Sequence, residues 1–122
     1  MYLALGKFVL QKKSQLFTFL RTSKRIEKEA LASAGVVEVK LIGVGVQTFY
    51  TATLWESEED MKAFAHSGEH LAAIKTSQEM ASEMRFVFYE ANKIPSKKEI
   101  EKILNTHPKV RVYSLFLLYE FD

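Results

Sequence analysis

Cysteine is absent from the sequence, proline occurs twice and glycine five times. Without cysteine, the chain cannot be a disulfide scaffold or carry a thiolate metal site. The 15 acidic residues nearly balance the 17 basic ones, and the net charge of +2 does not indicate nucleic-acid binding. No apolar run approaches the roughly 20 residues that span a bilayer, so we expect no membrane partner. A length of 122 residues predicts one domain and excludes a large multidomain enzyme.

Aromatic residues, by contrast, are abundant, with nine Phe, five Tyr and one Trp. The sequence contains no Gly-rich phosphate loop, no nucleophile elbow and no clustered carboxylate pair with the spacing of a general acid and base. The first ten residues are apolar, but they lack the basic segment and the small-residue cleavage site of a signal peptide. We therefore expect these residues to form a first strand and the protein to be cytoplasmic.

Hydrophobic spacing predicts the order β-α-β-β-α-β over residues 1–91, which is that of an α+β, ferredoxin-like fold. The first predicted elements are a strand at 3–10 and a helix at 14–34, with Ser14 as its N-cap and Gly35 after its last turn. A hairpin of two strands follows, at 36–42 and 47–55. A helix then runs from the Ser57 cap to about residue 81, with an interruption at 67–68, and a strand at 85–91 completes the order. Residues 92–122 are predicted to extend the same domain with a short helix at 96–105 and a last strand at 109–121.

The predicted sheet is apolar on both faces, although both helices lie on one face. The alternation predicts that Val37, Val39 and Leu41 share one face of their strand. In the next strand, one face is predicted to carry Gln47, Phe49, Thr51, Thr53 and Trp55. A large apolar face left open is an association site. We therefore expect a homodimer in which two sheets pack face to face, with the C-terminal strand helping to seal the interface.

Four basic residues recur at helical spacing in the first predicted helix: Arg21, Lys24, Arg25 and Lys28. Such a stripe is usually a solvated helix face. Arg21 is nearest to the apolar edge, beside Leu20, and could therefore reach a carboxylate of a ligand.

Two histidines, His66 and His70, are four residues apart, as in a two-histidine metal face. Gly68 is expected to break the helix between them and no third ligand is spaced nearby, so we predict no metal site. His70 is the best candidate for a general acid or base, because a histidine titrates near neutral pH. The alternative is a partly exposed helix residue with a structural role.

Trp55 ends a predicted strand beside an acidic helix cap. Its side chain either fills the hydrophobic core or forms one wall of a ligand pocket. Thr51 and Thr53 share its face of the strand. They are either ordinary strand residues or hydroxyl groups that line the same pocket.

The segment from Phe49 to Phe64, followed by Ser67-Gly68-Glu69-His70, resembles the dimeric α+β barrel superfamily. Within that superfamily, residues 1–91 are most similar to antibiotic-biosynthesis-monooxygenase-like proteins and their uncharacterised relatives. The resemblance implies a ferredoxin-like fold and a small, largely apolar ligand in a cavity between sheet and helices. It also implies candidate ligand contacts at Trp55, Thr51, Thr53, Arg21 and Phe64, with His70 as the candidate catalytic residue.

The resemblance leaves three functions open, because the superfamily includes oxygenases, haem degraders and proteins without known activity. In its cofactor-independent oxygenases, the substrate is deprotonated and passes an electron to O₂, which implies that no cofactor is needed. A non-catalytic ligand-binding or structural dimer is the alternative. Haem binding is the weakest option. The Trp and the axial His of haem-degrading relatives correspond here to Phe64 and Ile74. His70 or His66 would therefore have to ligate the iron.

Overall fold

The computed structural model describes residues 1–114 as a five-stranded antiparallel sheet with four helices. The strands are β1 (Tyr2–Leu10), β2 (Val36–Val44), β3 (Thr48–Trp55), β4 (Ala81–Glu90) and β5 (Arg111–Ser114), and the helices are α1 (Leu16–Leu31), α2 (Glu58–Ala65), α3 (Gly68–Met80) and α4 (Lys97–Thr106). The strand order in the sheet is β2-β3-β1-β4-β5. The predicted α+β, ferredoxin-like fold is therefore confirmed, and the apolar N-terminal segment is the central strand β1. The predicted strand segment 115–121 lies outside the described residues.

The start of α1 differs from the prediction. Ser14 is not its N-cap, because a 3-10 turn at Lys13–Gln15 precedes the helix. The backbone N–H of Lys12 donates to the side-chain oxygen of Gln15 at 3.1 Å, which holds the turn. The helix also ends earlier than predicted, at Leu31, whose side chain is 58% exposed.

A bulge in β2 changes the predicted alternation. The register shifts between Val36 and Glu38, so that Val36 lies opposite Trp55 and Val37 is 44% exposed. The strict alternation predicted through Val37, Val39 and Leu41 is therefore interrupted at Val37, which has no register partner in β3. An extra residue in one strand breaks the two-residue period at that point, which periodicity alone does not reveal.

The sheet has two faces that are covered differently. Gly6, Thr51 and Phe86 are register partners on one side, here called the helix face, which α1, α2 and α3 cover. Leu5, Ala52 and Val87 are register partners on the other side, here called the α4 face. The predicted alternation of β3 agrees with this division.

The α4 face is covered by the chain's own C-terminal helix. Ile100 and Leu104 of α4 are fully buried and belong to one core cluster with Leu3 and Leu5 of β1. Arg85 of β4 also donates to the backbone oxygen of Leu104 at 3.4 Å. The apolar patch on which the face-to-face dimer was predicted is therefore filled within one chain.

Candidate functional site

A cavity of about 480 Å³ lies between the helix face of the sheet and helices α1–α3. Its lining is mostly apolar, with phenylalanine side chains from both the strands and the helices. The aromatic and aliphatic lining residues include Phe8, Phe19, Ile26, Val39, Leu41, Met61, Phe64, Ile74, Phe86 and Phe88. This volume is in the range of small-molecule sites.

Gly6 of β1 forms part of the cavity floor. A Cβ atom at this position would stand 2.7 Å from the hydroxyl oxygen of Thr51 and 3.3 Å from the ring of Phe86. The lack of a side chain therefore lets both neighbours approach the middle of the sheet. A glycine inside an apolar strand is typical of such a close approach.

His70 lies in the first turn of α3 and lines the cavity. The Ser67 hydroxyl, which caps this helix, accepts a hydrogen bond from the His70 backbone N–H at 3.3 Å. The imidazole ring packs against Phe64, with ring centroids 4.6 Å apart. Burial lowers the pKa of His70 from its ordinary value, so the neutral form is favoured.

The Nδ1 atom of His70 is buried and has no hydrogen-bond partner among residues 1–114. A buried polar atom without a partner is unfavourable, and in native proteins it usually requires an explanation such as a ligand. His70 is thus a lining residue of the cavity, and its buried Nδ1 atom has no partner among the described residues.

Trp55 does not line the cavity. Its side chain is fully buried, and its indole N–H donates to the hydroxyl oxygen of Thr53 at 2.9 Å. Its ring lies 5.3 Å from that of Phe64, which does line the cavity. Trp55 therefore supports the wall from behind, while Thr51 and Thr53 reach the cavity itself.

Arg21 is exposed and is not among the lining residues. The cavity instead includes three charged residues that sequence reasoning did not select, namely Glu27, Lys40 and Arg111. Arg111 comes to the cavity because β5 pairs with β4, and its register partner is Phe86. The pairing of β4 with β5 joins distant segments of the chain, so no local sequence pattern predicts that Arg111 lies at the cavity.

The two histidines of the predicted i, i+4 pair differ in environment, since His66 is exposed and His70 is partly buried. Within residues 1–68 and 70–112, whose side chains the structure describes, there is no group of three or more His, Cys, Asp or Glu residues that could hold a metal ion. Phe64 and Ile74, which correspond to the Trp and axial His of haem degraders, both line the cavity. Neither side chain can supply an indole N–H or ligate iron. None of the described helices has the length and apolar character needed to cross a membrane.

No family model matches the sequence, and no curated protein matches it. Solved structures do match the fold. A protein provisionally named an antibiotic biosynthesis monooxygenase from Nitrosomonas europaea is similar with a TM-score of 0.69 and 14% identity, over 76% of this chain and 100% of that chain. A protein with the same provisional name from Deinococcus radiodurans has a TM-score of 0.70 and 12% identity, over 79% and 97% of the two chains.

SnoaB, a cofactor-independent oxygenase from Streptomyces nogalater, has a TM-score of 0.64 and 9% identity, over 76% of this chain and 94% of that chain. Identities this low support a shared fold and not a shared activity. The protein therefore has the ferredoxin-like α+β fold that these solved structures share, as its sequence predicts.

Proposed function

We propose that this protein binds a small, largely apolar molecule in the cavity on the helix face and acts on it as a cofactor-independent, monooxygenase-like enzyme. The observation that carries the proposal is the buried, unpartnered Nδ1 atom of His70 in the wall of a cavity of about 480 Å³. The fold is shared with an oxygenase that is described as cofactor-independent. The cavity lining is otherwise suited to an apolar ring system.

His70 would act as the general base. Because burial lowers its pKa, the imidazole is neutral at physiological pH and can take a proton from a weakly acidic O–H or C–H of the substrate. The resulting substrate anion then supplies the electrons that reduce O₂. One oxygen atom enters the product and the other leaves as water, so the substrate is the only reductant.

Oxygen uptake with a panel of phenols and quinols tests this activity. We expect uptake with at least one compound, and ¹⁸O₂ should label the product. The His70→Gln variant should reduce the rate about 100-fold or more, as is usual for loss of a general base. His66→Gln is the matched control, because His66 is exposed and should leave the rate unchanged. Uptake that is equal in the wild type and His70→Gln would refute the assigned role.

Ligand binding without catalysis is the second candidate, and one observation favours it. The Nδ1 atom of His70, on which the first proposal rests, has no partner among the described side chains that would fix the tautomer of the ring, as a catalytic base often requires. A ligand that quenches the fluorescence of Trp55, the only tryptophan, and is recovered unchanged under O₂ would support this candidate.

We propose in addition that the protein is a cytoplasmic homodimer. Support comes from β2, at one edge of the described sheet, where Val37 and Val44 are 44% and 38% exposed, and from Val46 in the adjoining turn at 45%. Such an edge is a surface on which a second chain can pair. Light scattering should give twice the chain mass of 14.0 kDa, and a species of one chain mass at micromolar concentration would refute the dimer.

A further inference from the structure

The charged side chains of the cavity are unevenly placed. Lys40 belongs to β2 and Arg111 to β5, which are the two edge strands of the described sheet. With about 4.8 Å between neighbouring strands, these edges are about 19 Å apart, and the floor between them is uncharged. The third charged residue, Glu27, lies on α1.

The two cations do not face the same side of the sheet. Lys40 is the register partner of Ala52, so its side chain projects from the α4 face, where it pairs with Glu38 at 3.6 Å. Arg111 is the register partner of Phe86, so its side chain projects from the helix face. Arg111 is therefore the cation that the described strands present on the cavity side.

Arg111 reaches this position through the C-terminal part of the chain. The chain passes across the α4 face as α4 and then returns as β5 beside β4, which brings Arg111 to the opposite face. The similar solved structures cover only 76–79% of this chain while being almost wholly covered themselves. About a quarter of the chain thus has no counterpart in those proteins.

We propose that Arg111 makes the cavity selective for organic anions, that is, for ligands with an apolar ring system and one carboxylate or sulfonate group. This inference rests on the proposed function only in that it assumes the cavity takes a ligand. The ring system lies over Gly6 and against Phe86, and the anionic group lies toward the β5 edge. A guanidinium suits this task because it binds a carboxylate or sulfonate through two parallel N–H groups and stays charged at any physiological pH.

Glu27 fixes the orientation of such a ligand. As an acidic group on α1 it disfavours an anion near that helix, whereas Arg111 favours one at the β5 edge. His70, neutral because its pKa is lowered, neither attracts nor repels the anionic group strongly. The ionisable groups of the wall thus favour a single location for the negative charge.

A matched pair of fluorescent probes tests the selectivity. 1-Anilinonaphthalene-8-sulfonate and N-phenyl-1-naphthylamine share an aromatic body and differ by the sulfonate. We expect the sulfonate probe to bind the wild type about three- to tenfold more tightly, because Arg111 is exposed and its ion pair is partly screened. The preference should shrink as salt is added. Competition between the probes checks that they share one site.

The Arg111→Gln variant should remove the preference and leave the affinity for the neutral probe unchanged. Arg111→Lys keeps the positive charge but loses the two parallel N–H groups, so it should retain part of the preference for the sulfonate probe. Arg21→Gln is the matched control, because Arg21 is an exposed arginine outside the cavity lining. Circular dichroism establishes that each variant is folded.

Three outcomes overturn the inference. An unchanged preference in Arg111→Gln shows that another group selects the anion, and equal weakening of both probes shows that Arg111 acts only on the shape of the site. Loss of the preference in Arg21→Gln instead assigns the selectivity to α1. In each of these cases the probes still bind, so the proposed ligand-binding cavity stands. If neither probe binds to the wild type, the proposed function and this inference both fail.

Discussion

The rings of Phe64 and His70 lie 4.6 Å apart, one at the end of α2 and the other at the start of α3. The two rings meet at the point where the Ser67 side chain caps α3. The break at Ser67–Gly68, which the sequence predicts, is thus the feature that brings His70 to the cavity. The same burial gives the histidine a pH dependence that can be measured.

The stability of the wild type should fall more steeply than that of His70→Gln between pH 7.5 and about pH 5. Burial lowers the pKa of His70 from 6.5, so the unfolded chain takes up the proton at a higher pH than the folded one. As the pH falls below 6.5, unfolding becomes coupled to proton uptake and the folded state loses stability until the folded pKa is passed. Urea denaturation at several pH values measures the difference.

His66→Gln serves as the control for that experiment, since His66 is exposed on the neighbouring helix end. It should keep the steep pH dependence of the wild type. Parallel curves for the wild type and His70→Gln would contradict burial of a neutral imidazole at this position.

Gly6→Ala should destabilise the protein by about 1–3 kcal/mol, because the new Cβ would stand 2.7 Å from the hydroxyl oxygen of Thr51. In the double variant with Thr51→Ala that oxygen is removed, and the closest remaining contact is the Phe86 ring at 3.3 Å. The double variant should therefore recover part of the loss, which thermal denaturation of the full cycle would reveal as non-additivity. Gly68→Ala is the control, because a Cβ there meets nothing within 4 Å.

Thr53→Val should destabilise the protein by about 1–3 kcal/mol, since it leaves the buried indole N–H of Trp55 without its acceptor. The valine has nearly the same shape, so the loss reports the hydrogen bond rather than packing. Thr53→Ser keeps the hydroxyl and should recover most of the stability. Chemical denaturation followed by the fluorescence of Trp55 measures both, and equal stability of Thr53→Val and the wild type would contradict the assignment.

The parts of the site that could be predicted depend on local periodicity. The two-residue alternation of β3 places Thr51 and Thr53 on one face, and the glycine in an apolar strand indicates the close approach at Gly6. Both features are decided within a few residues of the chain. The resemblance then directs attention to His70.

The parts that could not be predicted depend on contacts between distant segments. Trp55 shares a strand face with Thr53, but packing against Ala30 and Met61 excludes its ring from the cavity. Arg111 enters the cavity only through the register of β4 with β5. The sequence shows the apolar residues of α4, but no local sequence pattern predicts which face of the sheet they cover.

Leu104→Ala should destabilise the protein by about 2–5 kcal/mol, because Leu104 is fully buried between α4 and the sheet. Ile103→Ala, on the same helix but only partly buried, should have a smaller effect. Urea denaturation at two protein concentrations adds a second readout. If α4 of the same chain fills this face, the loss for Leu104→Ala is independent of concentration. A loss that grows on dilution would mean that a second copy covers the face instead, since association stabilises by mass action, and the cis packing of α4 would then be refuted.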